Sequence, residues 1–236
     1  EFLDETRAAC EEARQALPDA PEPHYLLGRM HRALLQPAEA LAAQGLALEP
    51  ARELVRRHLG LCYDACHMAV EFEDMGASLA ALEAAGIKIC KVQVSSALKL
   101  RFQRGDGRAR ALLGPFAEST YLHQVVERSA AGLTRFTDLP EGFAAEAESA
   151  KGARRGEAVE WRVHFHVPVF LEEMQHFETT QTHLIVLLQH LRERPVCPYL
   201  EVETYTWDVL PADYRNMELP AAISRELSWV REQLES

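Results

Sequence analysis

The sequence predicts an α/β fold with a parallel sheet, on three observations. Residues 59–63 and 87–95 read as apolar strands with a helix at 77–85 between them, a spacing that brings the two strands together in parallel. Carboxylate, amide or imidazole groups recur at strand ends: Glu49, Asp64 with His67, Gln93 and Glu203. The 236 residues, 47 % hydrophobic and 26 % charged, have the balance of a globular protein and enough length for a substantial core.

Taken in order, residues 1–54 hold no Val or Ile and are rich in Ala, Leu, Glu, Gln and Arg, all good helix formers. Helices are expected at 3–17, 25–35 and 37–44, the first stopped by Pro18, Pro21 and Pro23. The stretch from Leu27-Gly28 to Pro37-Ala38-Glu39-Ala40 looks superficially like a tetratricopeptide unit, but no second copy follows to bury its face. We therefore divide the chain into a helical segment, 1–45, and an α/β region, 46–236. The latter opens with a short strand at 46–49 ending in Glu49. After the strand at 59–63 comes a loop, 64–74, and the helix at 77–85 is closed by Gly86.

Residues 102–160 exceed a simple crossover and read as an insertion, with 121–128 and 133–138 pairing as a hairpin around Ala130-Ala131-Gly132. Residues 141–151 are Ala- and Glu-rich, either a short helix or a mobile stretch. Residues 161–170 alternate, with Val163, Phe165 and Val167 on one face and His164 and His166 on the other. A helix at 180–191 carries Leu184, Leu187, Leu188 and Leu191 on its apolar face. A strand at 199–205 follows, then a closing helix at 220–234 with Ile223, Leu227, Val230 and Leu234 on one stripe.

The formal net charge of −11 repels phosphate backbones and disfavours nucleic acid as a partner. Five cysteines, Cys10, Cys62, Cys66, Cys90 and Cys197, have no framework spacing and read as reduced thiols of a cytoplasmic protein. No apolar run approaches the roughly 18 residues of a membrane helix. The CxxxCH string at Cys62–Cys66–His67 misses the haem-attachment spacing by one residue, and Cys62 and Cys66 read as small buried hydrophobes.

In a parallel α/β barrel the C-terminal strand ends converge on one mouth. Oxygen donors from several strands, with His67, then suit a divalent metal: oxygen-rich sets lean to Mn²⁺ or Mg²⁺, and the histidine keeps Zn²⁺ or Co²⁺ open. Glu49 and Glu203, on different strands, fit an acid/base pair that moves a proton at a carbon beside a carbonyl. The bland readings are a solvated or capping Glu, an N-cap or turn Asp64, and water-facing His164 and His166.

The strings Cys62-Tyr63-Asp64-Ala65-Cys66-His67-Met68-Ala69-Val70-Glu71-Phe72-Glu73-Asp74, Lys91-Val92-Gln93-Val94-Ser95-Ser96-Ala97-Leu98 and Tyr121-Leu122-His123-Gln124 resemble the EboE-type metabolite traffic proteins. So do Trp161-Arg162-Val163-His164-Phe165-His166-Val167-Pro168-Val169-Phe170 and the segment from Leu200-Glu201-Val202-Glu203 to Leu210-Pro211. The likeness covers about residues 46–211. That family looks like a branch of the xylose-isomerase-like TIM barrels. The resemblance implies a (β/α)8 barrel of which the fifth to eighth strands are visible here, with sequence expected before Glu1 and near Pro50-Ala51. It implies a divalent metal (Mn, Mg, Co or Zn) held by Glu49, Asp64, Gln93 and Glu203, with His67 as a further ligand. Gln93 stands where the wider superfamily usually has histidine. Lys91, Ser95, His164, His166 and Trp207 would contact the substrate.

The expected activity is that of a metal-dependent sugar or polyol isomerase or epimerase processing a small metabolite. A non-catalytic metabolite-binding barrel, favoured by Gln93, and a zinc phosphoesterase like endonuclease IV, favoured by His67 and His164, are the alternatives. A homo-oligomer stays open.

Overall fold

The computed structural model describes residues 45, 47–203, 209–211 and 218–236. The helices expected at 3–17, 25–35 and 37–44 lie outside the described residues, as does Trp207. In chain order the elements begin with α1 (Leu48–His58), β1 (Leu61–Asp64), α2 (Ala65–Val70), α3 (Met75–Ala84), β2 (Ile89–Val94) and β3 (Ser96–Gln103). Next come α4 (Arg108–Leu113), a 3₁₀ turn (Gly114–Phe116), β4 (Val125–Ser129), β5 (Gly132–Phe136), α5 (Leu139–Ser149) and β6 (Ala158–Val167). The chain closes with β7 (Glu173–Met174), β8 (Phe177–Thr179), α6 (Gln181–Glu193), β9 (Leu200–Val202) and α7 (Leu219–Glu235). Two compact units arise, Glu1–Cys62 with Glu73–Cys90, and Tyr63–Phe72 with Lys91–Ser236.

The first unit corrects the expected strand at 46–49. Leu48 and Glu49 open helix α1 instead. Pro50 falls in its first turn, where a missing N–H costs nothing. Glu49 at the start and Arg56, Arg57 and His58 at the end complement the helix dipole, and Ala51 and Val55 turn inward. The stretch between Glu49 and the strand at 59–63 is thus itself a helix leading into β1. Gly60 is needed for close approach: a Cβ there would lie 2.9 Å from the Lys88 carbonyl oxygen and 2.2 Å from Cys90 Sγ. Helix α3 ends where expected, with Gly86 in the left-handed region at φ 67°.

The strands form two sheets, so the fold is mixed α/β. A three-stranded sheet has the order β1–β2–β9, and β2 and β9 run parallel with Val92 opposite Leu200 and Val94 opposite Val202. A six-stranded sheet has the order β5–β4–β6–β3–β8–β7, with antiparallel pairing. Among the described residues no sheet closes into a barrel. The expectation of parallel strands throughout fails at Ser95: the chain leaves β2 and starts β3 one residue later, which pairs antiparallel with β6 and β8. The hairpin expected at 121–128 and 133–138 is present as β4 and β5, with Gly132 at φ 112° in its turn.

The second unit's core lies under the six-stranded sheet, around Leu98, Leu100, Phe102, Leu113, Phe116, Leu139, Trp161, Val163 and Phe165. Trp161 packs edge-on against Phe102 and donates its indole N–H to Glu127 over 2.8 Å. Glu127 also pairs with Arg104 at 2.6 Å, a buried charge satisfied by two donors. The loop expected at 64–74 is largely helix α2, which packs on β3, β6 and α6.

Candidate metal centre

Asp64 ends β1 and is the N-cap of α2. Its Oδ1 accepts the backbone N–H of Cys66 at 2.9 Å and of His67 at 3.2 Å, and the hydroxyl of Ser95 at 3.1 Å. Its Oδ2 lies 2.9 Å from His67 Nδ1. The capping reading of Asp64 is therefore correct, and any further bond must go through Oδ2. Ser95, 1 % exposed, acts as a strut that also accepts the Cys66 N–H at 3.0 Å.

Helix α2 is pinned at its other end. Arg162 Nη1 donates to the Ala69 carbonyl oxygen at 2.6 Å, and the Arg128 and Arg162 guanidinium groups lie over the Phe72 ring at 4.4 and 3.9 Å. Phe72 adopts φ 58°, a left-handed conformation unfavourable for an aromatic residue and accompanied here by those two cation–ring contacts.

A bulge in β6 aims the other two imidazoles. Ala97 of β3 faces His166, and the next residue, Leu98, faces Val163, so His164 and Phe165 are extra residues on the β6 side. Bulges of this kind bend a strand and redirect its side chains. The His164 N–H is satisfied by the Gln124 carbonyl at 2.8 Å. His164 comes to 4.1 Å from His67 and 5.1 Å from His166, centroid to centroid. His166 Nδ1 lies 3.3 Å from the Glu203 carbonyl oxygen and 3.9 Å from Glu203 Oε2. Donation from Nδ1 to that carbonyl sets the tautomer in which Nε2 carries the lone pair.

Three overlapping donor sets result: Asp64, His166 and Glu203; Asp64, His67 and His164; and Cys66, His164 and His166. Within each set the ligand atoms lie within 4.8 Å of one another. The electrostatics prepare these groups. Burial works to raise the Asp64 carboxyl, but the hydrogen bond and charge of His67 overcome it and hold Asp64 at about 2. The same hydrogen bond raises His67. Burial, aided by the neighbouring His67 and His166, pushes His164 down to about 3. Burial likewise pushes His166 down to about 4, against the pull of Asp64. Glu203 is raised by burial and then by the Asp64 charge. At neutral pH the cluster thus offers an ionised Asp64 and two neutral imidazoles with lone pairs available.

The structure brings together five of the residues picked out from sequence: Asp64, His67, His164, His166 and Glu203. Ser95 supports them. Lys91 pairs instead with Glu201 at 2.9 Å. Gln93 sits half-buried on β2 opposite Glu201, sharing a face with Lys91 and Ser95. Glu49, expected as a ligand and acid/base group at a strand end, is on the exposed first turn of α1 and pairs with Arg52. Cys66 is buried in an apolar cluster, as expected, and its sulfur also lies within 4.8 Å of ring nitrogens of His164 and His166, whereas Cys62, expected to be buried, is exposed. No family model, no curated protein and no solved structure matches this chain.

A divalent ion fits the donors present. Glu203 Oε2 is buried with no hydrogen-bond partner among the described residues, and a buried carboxylate oxygen in that state is costly without a cation. Carboxylates, imidazoles and a thiol in three overlapping sets are the usual ligand types of Zn²⁺, Co²⁺ or Mn²⁺.

Proposed function

We propose that the protein is a metal-dependent isomerase- or epimerase-like enzyme acting on a sugar, polyol or related small metabolite in the cytoplasm. The reading is that of a xylose-isomerase-like barrel of the EboE type, represented here by its later strands. The parallel β2–β9 pair beside β1 supports it, as do the motif strings at 62–74, 91–98 and 161–170. The observation that carries the functional reading is the convergence of Asp64, His166 and Glu203 within 4.8 Å, with a raised Glu203 among them.

A bound divalent ion supplies Lewis acidity toward a carbonyl or hydroxyl oxygen of the substrate. Asp64 stays ionised and holds charge at the site. Glu203, brought nearer neutrality, is suited to taking a proton from a carbon beside a carbonyl and returning it. One carboxylate suffices for isomerisation, since the proton leaves one carbon and returns to its neighbour on the same face. With Glu49 on an exposed helix and paired to Arg52, Glu203 carries that step in this proposal. Epimerisation would require a second proton carrier.

A zinc phosphoesterase is the second reading, favoured by the ring contact of His67 and His164 at 4.1 Å beside Asp64, which offers a second donor set. Elemental analysis of the purified full-length protein beside its Glu203→Gln variant separates the readings. One ion per chain, lost in the variant, is expected. Two or three zinc ions would favour the phosphoesterase. No metal even after soaking would leave only metabolite binding, and equal metal in both proteins would remove Glu203 from the site.

A further inference from the structure

We propose that Cys66 is a metal ligand, forming with His164 and His166 a sulfur–nitrogen–nitrogen set that makes the resident ion Zn²⁺, or Co²⁺ in its place, and not Mg²⁺ or Mn²⁺. This rests on the metal-dependent reading above and sharpens it by naming the ion.

Cys66 is fully buried, and its backbone is fixed twice, by Asp64 Oδ1 at 2.9 Å and by Ser95 Oγ at 3.0 Å. It shares a buried cluster with Val70, Ala97 and Val126, the surroundings of an ordinary packing cysteine. Its Sγ also lies within 4.8 Å of a ring nitrogen of both His164 and His166, which are within that distance of each other. A packing residue needs only the apolar neighbours. The two imidazoles flank the bulge in β6, whose surplus residues are His164 and Phe165.

Around a tetrahedral zinc ion, with Zn–S of about 2.3 Å and Zn–N of about 2.0–2.1 Å, neighbouring donors stand roughly 3.5 Å apart. The ligand atoms of Cys66, His164 and His166, all within 4.8 Å of one another, lie near that spacing. Thiolate and imidazole together select Zn²⁺ and Co²⁺ over the hard ions, which prefer oxygen. On binding, the thiol proton passes to the buffer and the sulfur–metal bond replaces it. Burial, and then the charges of Asp64 and Glu203, push the Cys66 thiol up, so without an ion it stays protonated. Three protein ligands and one open position are the arrangement of catalytic rather than structural zinc.

Cobalt titration of the metal-free full-length protein tests this. Co²⁺ should produce a near-ultraviolet thiolate-to-cobalt charge-transfer band with one equivalent. The band should vanish in Cys66→Ser, with at least tenfold weaker Co²⁺ binding. It should survive in a variant with serine at Cys10, Cys62, Cys90 and Cys197. X-ray absorption of the wild-type zinc protein should show one sulfur at about 2.3 Å, a reading that does not depend on the Cys66 variant folding. Co²⁺ or Zn²⁺ bound with no sulfur neighbour, or a band retained in Cys66→Ser, would overturn the role of Cys66 and leave the metal-dependent reading standing. Absence of any metal binding would overturn both.

Discussion

Asp64 holds two positions at once. Oδ1 is used up by the cap of α2 and the Ser95 hydroxyl, and Oδ2 faces His67. Two substitutions separate these roles. Asp64→Asn keeps an acceptor for the cap but removes the charge, so it should retain most of the thermal stability and lose metal. Asp64→Ala should lose both, at a cost of about 1–2 kcal/mol for the cap, measured by denaturant unfolding beside metal analysis. The pairing with His67 also sets a pH window. Because Asp64 falls from 3.8 to about 2 in the folded protein, its contribution is present above about 3.8 and is lost as pH falls through about 2. Asp64 and His67 could be picked out from sequence because a carboxylate ending an apolar run, with a histidine three residues on, survives any choice of local structure. Glu49 could not be placed the same way. Leu46-Ala47-Leu48-Glu49 is compatible with a strand or with a helix start, and Pro50 followed by inward Ala51 and Val55 decides for the helix.

At the scale of elements, α7 is tied to the segment after β6 by a buried carboxyl. Glu226, 1 % exposed, accepts the Val169 N–H at 3.0 Å through Oε1, and Gln181 of α6 donates to the Val169 carbonyl oxygen at 2.8 Å. Burial, partly offset by the Val169 bond, raises Glu226 from 4.5 to about 7. A raised carboxyl is harmless while protonated, so the associated stability is complete below about 4.5 and declines as pH rises to about 7. Glu226→Gln keeps the acceptor and removes the ionisation. It should flatten the pH dependence of stability between 4.5 and 7 and leave the variant more stable at pH 8 by up to about 3 kcal/mol, followed by urea unfolding at several pH values. The helices α6 and α7 were legible because leucine and other apolar residues recur at helical spacing with clear ends. The β4–β5 hairpin was legible from its turn. What remained hidden was β3, which runs on from the expected strand at 87–95 with only Ser95 between, and the partner of β6, whose alternation fits an antiparallel or a parallel neighbour equally.

Over the whole molecule, the two units should report metal differently. All the proposed ligands belong to the unit of Tyr63–Phe72 and Lys91–Ser236, and so do Trp161 and Trp229. Zinc at about one hundred times its dissociation constant should stabilise that unit by about 2.7 kcal/mol. For a protein of this size that is a rise of roughly 5–10 °C in the melting midpoint read by tryptophan fluorescence, reversed by chelator. No shift would mean that the metal binds folded and unfolded chains alike or not at all. The bulge in β6 has a consequence for assembly. A strand with period two slides by one residue and turns every side chain to the opposite face, but a strand with two surplus residues, His164 and Phe165, fits its neighbour β3 in one alignment. The imidazoles therefore meet Cys66 and Asp64 only in chains whose sheet has paired correctly. Capture of the proposed ion would then be a proofreading mark, confined to molecules that have found the right strand registry.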